Sequence, residues 1–176
     1  GLTYQWEVSS TGGGAGFANV VGGTGATSTS YTTGPLAVGT YYYRLRVDCS
    51  NGPVTDYSNE LTLTVDPTPT ALATHNGNVC AGLDLDLTGS TDIGTSYQWT
   101  GPNGFSSTDQ NPSILGVTTA GSGTYSFTAT LGGCSSPAST TVVTVNAAPT
   151  LTSPATASPN PICPGGSTQL SATATV

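Results

Sequence analysis

A short pattern of residues occurs more than once along the chain, and this internal repeat limits the fold more than any other feature. Tyr-Gln-Trp stands at residues 4–6 and again at 97–99, and Gly-Thr-Tyr stands at 39–41 and again at 123–125. The alternating run Leu61-Thr62-Leu63-Thr64-Val65 also has a later counterpart at 141–145. Repeats at such a spacing are typical of arrays of small domains. The chain is therefore predicted to contain several copies of one domain.

Each copy is built from short runs in which apolar and polar residues alternate. In the copy between Cys80 and Val145, such runs lie at 83–87, 123–127 and 141–145, separated by segments rich in Gly, Pro, Asn and Ser. Alternation with a period of two predicts half-buried β-strands, and several short strands separated by turns predict a sandwich. The composition adds 24 Gly and 12 Pro and offers no long helix-forming stretch. The predicted fold is all-β, with tandem immunoglobulin-like β-sandwiches.

Only one of these copies is complete. Residues 67–149 are predicted as a full sandwich that follows the linker Asp66-Pro67-Thr68-Pro69, in which two prolines stiffen the backbone. Residues 1–66 are predicted as the C-terminal part of a sandwich, and residues 150–176 as the first two strands of a further one. The second assignment rests on Ile162-Cys163-Pro164-Gly165, which matches Val79-Cys80-Ala81-Gly82.

The two partial copies are complementary, because each contains the strands that the other lacks. This predicts a head-to-tail array, in which the strands of residues 150–176 complete the sandwich begun by residues 1–66 of the next unit. The next unit is either a separate subunit or a further stretch of one long tandem repeat. Two other interpretations remain open at this stage: a chain boundary without structural meaning, and a single chain whose own two ends meet.

The succession of Cys80, Tyr97-Gln98-Trp99, Gly123-Thr124-Tyr125 and Cys134 resembles the immunoglobulin-like and PKD-like repeats of large bacterial proteins. Those repeats are strung along secreted or cell-surface proteins of gliding and related bacteria, which are exported by the type IX system and include adhesins. The resemblance implies a β-sandwich that serves as a spacer or an adhesive module rather than as a catalyst. It also implies an extracellular or cell-surface location.

The aromatic residues of the repeated motifs are predicted to be core residues. Trp6 and Trp99 lie on alternating strands, as does the buried Trp on the third strand of immunoglobulin domains. Tyr41 and Tyr125 follow Gly-Thr at the start of the long strand, where a tyrosine hydroxyl often donates a hydrogen bond back to the chain. Phe127 lies on the same face as Tyr125 and is predicted to share the core.

The opposite face of the strand at residues 40–47 is predicted to be exposed. It carries Tyr42, Arg44 and Arg46. Because Tyr and Arg are favoured at protein interfaces, these three side chains are the candidate contact patch.

Four cysteines in a β-rich chain predict disulfides and an oxidising compartment. Equal placement in the repeat suggests the pairs Cys80–Cys134 and Cys49–Cys163. In immunoglobulin topology, however, the two members of each pair lie at opposite poles of a domain, too far apart for a bond. Bonds between neighbouring domains are the alternative, so the partners stay open.

The charge and the remaining polar residues exclude several classes of function. A formal net charge of −7 with only two basic residues argues against nucleic-acid binding and against binding to anionic membranes, and no run is long and apolar enough to insert in a bilayer. Asp84, Asp86 and Asp92 do not form a calcium loop, and His75 has no catalytic partner in its motif. The prediction is therefore no enzyme, no metal and no cofactor.

The favoured function is a structural repeat unit of an extracellular stalk, adhesin or filament, whose partners are identical or similar units. Surface glycans or other cells are further candidate partners. The alternative is a carbohydrate-binding module of a secreted protein, which would use exposed Tyr42, Tyr57 or Phe105.

Overall fold

The computed structural model describes residues 1–175, and it is almost entirely β-structure. The chain divides into two compact units, Gly1–Pro67 and Thr68–Val176. The boundary lies inside the proline-containing linker that the sequence predicts. The all-β prediction is confirmed.

The first unit is a single antiparallel sheet of five strands. Its strands are β1 (Leu2–Ser9), β2 (Ala18–Asn19), β3 (Gly39–Cys49), β4 (Thr55–Tyr57) and β5 (Leu61–Val65). The long strand β3 lies at the centre, with β1 along one edge and both β4 and β5 along the other. Within residues 1–67, no second sheet lies over this one.

The second unit contains the complete copy and a separate hairpin. Its strands are β6 (Leu72–His75), β7 (Val79–Cys80), β8 (Leu85–Ser90), β9 (Ser96–Thr100), β10 (Ser106–Ser107), β11 (Ser113–Ile114), β12 (Gly123–Leu131), β13 (Cys134–Ser135), β14 (Ser139–Val143), β15 (Val145–Asn146), β16 (Thr150–Ser158) and β17 (Gln169–Thr175). Two short 3-10 turns lie at Pro102–Gly104 and Thr119–Gly121.

Strands β6 to β15 form a two-layered sandwich, which we call the middle domain. One layer is the sheet β10-β9-β12-β13, in which β14 also pairs with β12, and the other is the sheet β11-β8-β6. Strand β7 pairs in parallel with β15 and so closes one edge. Two antiparallel sheets with a Trp on the central strand β9 make this an immunoglobulin-like sandwich.

The core of the middle domain lies between its two sheets. Trp99, Phe127 and Leu85 are completely buried, and Leu87 and Tyr125 are almost so. The rings of Trp99 and Phe127 lie 4.9 Å apart, centroid to centroid. Alternation explains this arrangement, because Leu85 and Leu87 on β8 point inward while Asp84 and Asp86 point to solvent.

Strands β16 and β17 pair only with each other and form a two-stranded antiparallel sheet. The sequence predicts these residues as the first two strands of a further sandwich, which correspond to β6 and β8. An isolated two-stranded hairpin has too little apolar surface to be stable by itself in water.

Candidate functional site

The sheet of the first unit has one apolar side over which no second sheet of residues 1–67 lies, and we call this side the open face. It carries Tyr4 and Trp6 from β1, Tyr43, Leu45 and Val47 from β3, and Leu61 and Leu63 from β5, as the strand register requires. The ring of Tyr31 packs against Trp6 and Tyr43, and Tyr43 is only 5% exposed. Leu63 is 36% exposed and Leu61 is 59% exposed.

Strand register shifts the sequence match of the last strand by two residues, so that Val65, opposite Gly39, corresponds to Val143, opposite Gly123. Val65 is half-buried, whereas Val143 is 1% exposed in the middle domain. The difference arises because the middle domain has a second sheet over this side.

Two hollows lie on the open face. One of about 200 Å³ is lined by Trp6, Tyr31, Tyr43, Leu61 and Leu63. A larger one of about 450 Å³ lies further along the same face and includes Leu2, Leu45 and Val47. Contiguous exposed apolar surface is typical of an interaction site, and Leu2 and Leu61 are about 60% exposed beside these hollows.

The hairpin β16–β17 has an apolar side that is also uncovered. Leu170, Ala172 and Ala174 alternate with hydroxyl residues along β17, and β16 contributes Leu151 opposite Ala174 and Ala157 opposite Leu170. We call this side the hairpin face. Leu151 and Leu170 are 77% and 74% exposed.

The other side of the hairpin is a ladder of hydroxyl groups. Thr150 and Thr175 lie 3.1 Å apart, and Thr156 and Ser171 lie 2.9 Å apart, oxygen to oxygen. The hydroxyl groups of this side can form hydrogen bonds with one another and with water. The hairpin thus separates one water-facing side from one apolar side, as a strand pair at the surface of a sandwich does.

The middle domain shows how two such faces fit together. With Cys163 aligned on Cys80, Leu170 corresponds to Leu87 and Ala172 to Gly89. Leu87 and Gly89 are buried against the sheet of β9, β12 and β14. The open face is the equivalent sheet in the first unit, so the hairpin face matches the layer that the open face lacks.

Side-chain hydrogen bonds support this equivalence in detail. The indole N–H of Trp6 donates to the carbonyl of Ser28 at 3.0 Å, and that of Trp99 donates to the carbonyl of Gln110 at the same distance. The Ser58 hydroxyl accepts from the amide of Leu45 as Ser136 does from that of Ala129. The first unit is therefore organised as one layer of the same sandwich.

The tyrosine hydrogen bonds predicted from Gly-Thr-Tyr are present in both copies. Each hydroxyl donates to the carbonyl four residues upstream, from Tyr41 to Ala37 and from Tyr125 to Gly121, both at 2.9 Å. Burial raises the pKa of Tyr125. Burial raises the pKa of Tyr43 as well, with the neighbouring Tyr31 and Tyr41 adding to the effect.

The outer side of the first unit's sheet carries the predicted contact patch, and its two cations are already paired. Arg44 and Arg46 each lie 2.8 Å from an oxygen of the Glu7 carboxylate, which is buried. The Arg44 guanidinium also lies between the rings of Phe17 and Tyr57, at 4.0 and 4.1 Å from their centroids. The predicted contact patch is thus half-buried, and both of its arginines form salt bridges with carboxylates of the same chain.

Asp48 extends this cluster towards solvent. A hydrogen bond from the Thr55 hydroxyl lowers the pKa of Asp48, and the Arg46 guanidinium beside it acts in the same direction. The sequence reasoning missed Glu7 and Asp48. The position of Glu7 follows only from the β1–β3 register, in which Glu7 faces Arg44. Asp48 lies two residues after Arg46 on β3, so strand alternation alone places these two side chains on the same face.

Each of the three aromatic residues considered for carbohydrate binding packs against neighbours within its own unit. The Tyr57 ring covers Arg44, and the Phe105 ring packs edge-on against Tyr125 at 5.6 Å. Tyr42 is half-buried against the glycine loop, where an added Cβ on Gly12 would lie 2.9 Å from its ring. Tyr57 remains 46% exposed, whereas Tyr42 and Phe105 are half-buried.

The chain matches known proteins only partly. A family model described as a domain of unknown function, DUF8696, matches residues 1–67. No curated protein matches the chain.

Solved structures of immunoglobulin domains share part of the backbone arrangement. The amphioxus IgVJ-C2 molecule is 20% identical, with a TM-score of 0.43 over 81% of this chain and 89% of that one. The N-terminal four immunoglobulin domains of Dscam1 isoform 4.44 are 16% identical, with a TM-score of 0.40 over 82% of this chain. The chain spans 38% of the length of that Dscam1 structure. At TM-scores below 0.5, these likenesses carry no information on a ligand or a partner.

The structure does not show the predicted disulfides among the described residues. No disulfide joins any two of the four cysteines within residues 1–175. Cys80 pairs with Asn146 near the start of β12, whereas Cys134 follows the end of that strand. The nine residues of β12 place these cysteines roughly 25 Å apart at about 3.3 Å per residue, well beyond the reach of a disulfide. Bonds between neighbouring copies stay a prediction.

Asp84, Asp92 and the single histidine make hydrogen-bond contacts with other residues of the chain. A hydrogen bond from the backbone N–H of Thr70 lowers the pKa of Asp92. Asp84 accepts from the amide of Gly116, and His75 lies 2.9 Å from the Thr141 hydroxyl. No cluster of His, Cys, Asp and Glu suited to a metal occurs among the described residues. No helix within residues 1–175 has the length and hydropathy that a membrane crossing requires.

Proposed function

We propose that the chain is a structural unit of an extracellular or cell-surface stalk, adhesin or filament that assembles head to tail. In this assembly, the hairpin β16–β17 of one unit lies over the open face of the next unit and completes its sandwich. The pairing of an uncovered apolar sheet with an uncovered apolar hairpin carries the proposal. The middle domain supports it, because the same two layers are joined there within one chain.

The energetics favour closure of this joint. Leu170 is 74% exposed, and burial of one leucine side chain contributes about 1.5–3 kcal/mol. Leu151, Leu61 and Leu63 would add further apolar area. The surfaces are the same whether the next unit is a separate chain or a further stretch of the same polypeptide.

A head-to-tail contact joins two different surfaces, because each unit offers one hairpin and one open face. Contacts of this type generate threads when the rotation from one unit to the next does not close a ring. The resemblance to the repeats of bacterial adhesins agrees with a role in spanning distance. Mechanical tension along such a thread would act on the backbone hydrogen bonds that join β3 to its neighbouring strands on both sides.

The test is a charge on the hairpin face. We expect the wild-type chain to form beaded threads in negative-stain images and to gain mass with concentration in light scattering. Leu170→Asp would put an uncompensated carboxylate into the joint and should leave monomers at concentrations where the wild type is multimeric.

Ser171→Asp is the matched control, since it places the same charge one residue away on the hydroxyl side. The equivalent side of β8 already carries Asp86, so a carboxylate is tolerated there. Wild-type chains that remain monomeric at every concentration would overturn the proposal. So would equal behaviour of the two aspartate variants.

A further inference from the structure

A short segment of the first unit has one backbone edge paired and the other edge free. Thr24 and Thr32 form an antiparallel bridge, in which the amide of each donates to the carbonyl of the other, at 2.9 and 2.8 Å. Successive residues of an extended chain direct their N–H and C=O groups to opposite edges, so those of Tyr31 and Thr33 point away from Thr24. Among the described residues, no backbone hydrogen bond involves Tyr31 or Thr33. Residues 31–33 therefore present an unpaired strand edge.

This free edge borders the open face. The ring of Tyr31 packs on Trp6 and Tyr43, at 6.4 and 6.2 Å between centroids, and Thr33 lines the smaller hollow beside them. The side chain of Thr32, between the two, is exposed. The segment thus alternates as a strand of a second layer would, with one side towards the sheet and the other towards solvent.

The middle domain has a strand at the same place. The two carbonyls that accept from the indoles, at Gln110 and Ser28, fix the correspondence between the copies. After each of them, the next side chain that is not exposed is Pro112 in the middle domain and Tyr31 in the first unit. Tyr31 therefore takes the place of Pro112, and the two residues that follow each of them correspond in turn.

In the middle domain, β8 pairs with this edge. The amide of Leu87 donates to the carbonyl of Pro112 at 2.9 Å, and Asp86 lies opposite Ser113. In the first unit, no strand of residues 1–67 occupies the equivalent position.

Strand β17 is the counterpart of β8, and it too has one unpaired edge. It pairs only with β16, and the amide of Thr173 donates to the Ser153 hydroxyl of that strand at 3.2 Å. By alternation, the amides of Leu170 and Ala172 point away from β16. Because Leu170 corresponds to Leu87, its amide is the equivalent of the donor that binds the free edge in the middle domain.

We infer that β17 of a second copy pairs antiparallel with residues 31–33, with Leu170 opposite Tyr31 and Gln169 opposite Thr32. This inference rests on the proposed function, and it identifies the edge and the register by which the two copies meet. The Leu170 amide donates to the Tyr31 carbonyl, and the Leu170 side chain enters the smaller hollow of the open face. Main-chain hydrogen bonds thus align the two copies, and the apolar sides supply the buried area.

Single thiols can report this register. Thr32 and Gln169 are both exposed, and as a non-hydrogen-bonded pair they would have Cα atoms about 4.5 Å apart, within the range of a disulfide. Two variants are made in a chain whose four cysteines are replaced by serine, one with Thr32→Cys and the other with Gln169→Cys. After mild oxidation, we expect an equal mixture of the two to give a covalent dimer that neither gives alone, with the 32–169 bond identified by peptide mapping.

Two matched experiments serve as controls. Ser171→Cys in place of Gln169→Cys lies two residues out of register, roughly 8 Å from Thr32 and beyond the range of a disulfide, and should give no bond to Thr32→Cys. Asp86→Cys and Ser113→Cys in one chain, in the same serine background, reproduce the pair within the middle domain. They should give an intramolecular bond, which shows that the chosen geometry is reactive.

The outcomes separate this inference from the proposed function. Reduced variants that multimerise but give no 32–169 bond on oxidation would overturn the edge and the register and leave the proposed assembly intact. A chain that carries both Thr32→Cys and Gln169→Cys and forms the bond inside a monomer would overturn the second copy as the occupant. Wild-type chains that never multimerise would overturn the proposed function, and this pairing with it.

Discussion

At the scale of single residues, the least expected feature is the charge cluster under the first unit's sheet. Glu7 is the buried member, and both arginines of the chain bind its two oxygens. Replacement of Glu7 by Gln would keep the shape but remove the charge that balances Arg44. We expect the free energy of unfolding of the first unit to fall by about 1–3 kcal/mol, measured by urea unfolding with hydrogen exchange of the β3 amides.

The control for this prediction is Asp48→Asn, which touches the same cluster from its solvent-exposed end. Water can solvate the Arg46 guanidinium when the Asp48 carboxylate is lost, so the free energy of unfolding should fall less than for Glu7→Gln. Equal losses for the two variants would contradict the view that burial makes Glu7 the centre of the cluster.

Residue patterns alone could predict only part of this detail. Trp99, Tyr125 and Phe127 lie in the core because alternation places them on an inward face, which a sequence shows directly. The sequence also places Arg44 and Arg46 together on the opposite face. It does not show that Glu7 faces them, because cross-strand neighbours depend on register, and register depends on turns far from either strand.

At the scale of elements, the start of the long strand is pinned in both copies by the same tyrosine hydrogen bond. Tyr125 is buried in the middle domain, whereas Tyr41 is half-buried in the open first unit. We expect Tyr125→Phe to lower the free energy of unfolding of the second unit by about 1–2 kcal/mol, because the Gly121 carbonyl loses its donor in a site closed to water. Denaturant unfolding measures this loss.

Tyr41→Phe is the paired variant in the first unit. Water can reach the Ala37 carbonyl while the open face is uncovered, so the loss should be smaller in monomers. A loss as large as that of Tyr125→Phe in dilute solution would indicate that the open face is already covered, contrary to its observed exposure.

The strands were easier to predict than their pairing. Alternation located the long strands, and the repeat correctly matched the two tyrosine motifs. The equal placement of the cysteines in the repeat does not identify their partners, for a reason that concerns the whole element. Cysteines at matching positions in a repeat suggest a pair, but Cys80 and Cys134 lie at opposite ends of β12, as the topology requires.

At the scale of the molecule, strands β6 to β15 form a two-layered sandwich, whereas residues 1–67 form one sheet and β16 and β17 form a hairpin. The repeat indicated which strands of the first unit are counterparts of strands in the sandwich, because both carry Tyr-Gln-Trp and Gly-Thr-Tyr. The sequence could not show the consequence in exposed area. Whether an alternating strand buries its apolar side depends on the presence of a second layer, and the sequence of the strand is the same in either case.

The two units should therefore respond differently to protein concentration. A contact formed only in the native state stabilises it in proportion to the logarithm of the partner concentration, by roughly 1.4 kcal/mol for each tenfold rise once the sites are filled. If a second copy covers the open face, the first unit gains stability with concentration. The middle domain, whose core is closed within one chain, does not.

Hydrogen exchange followed by mass spectrometry can measure both units in one sample. Between micromolar and millimolar chain, we expect protection of the amides of β3 to rise by about tenfold or more, and that of β17 to rise with it. The amides of β12 should show no such change. The variant Leu170→Asp should abolish the concentration dependence of β3 while leaving β12 as it is. Parallel changes in β3 and β12 would mean that concentration acts on the whole chain through non-specific association, and would contradict closure of the first unit by a second copy.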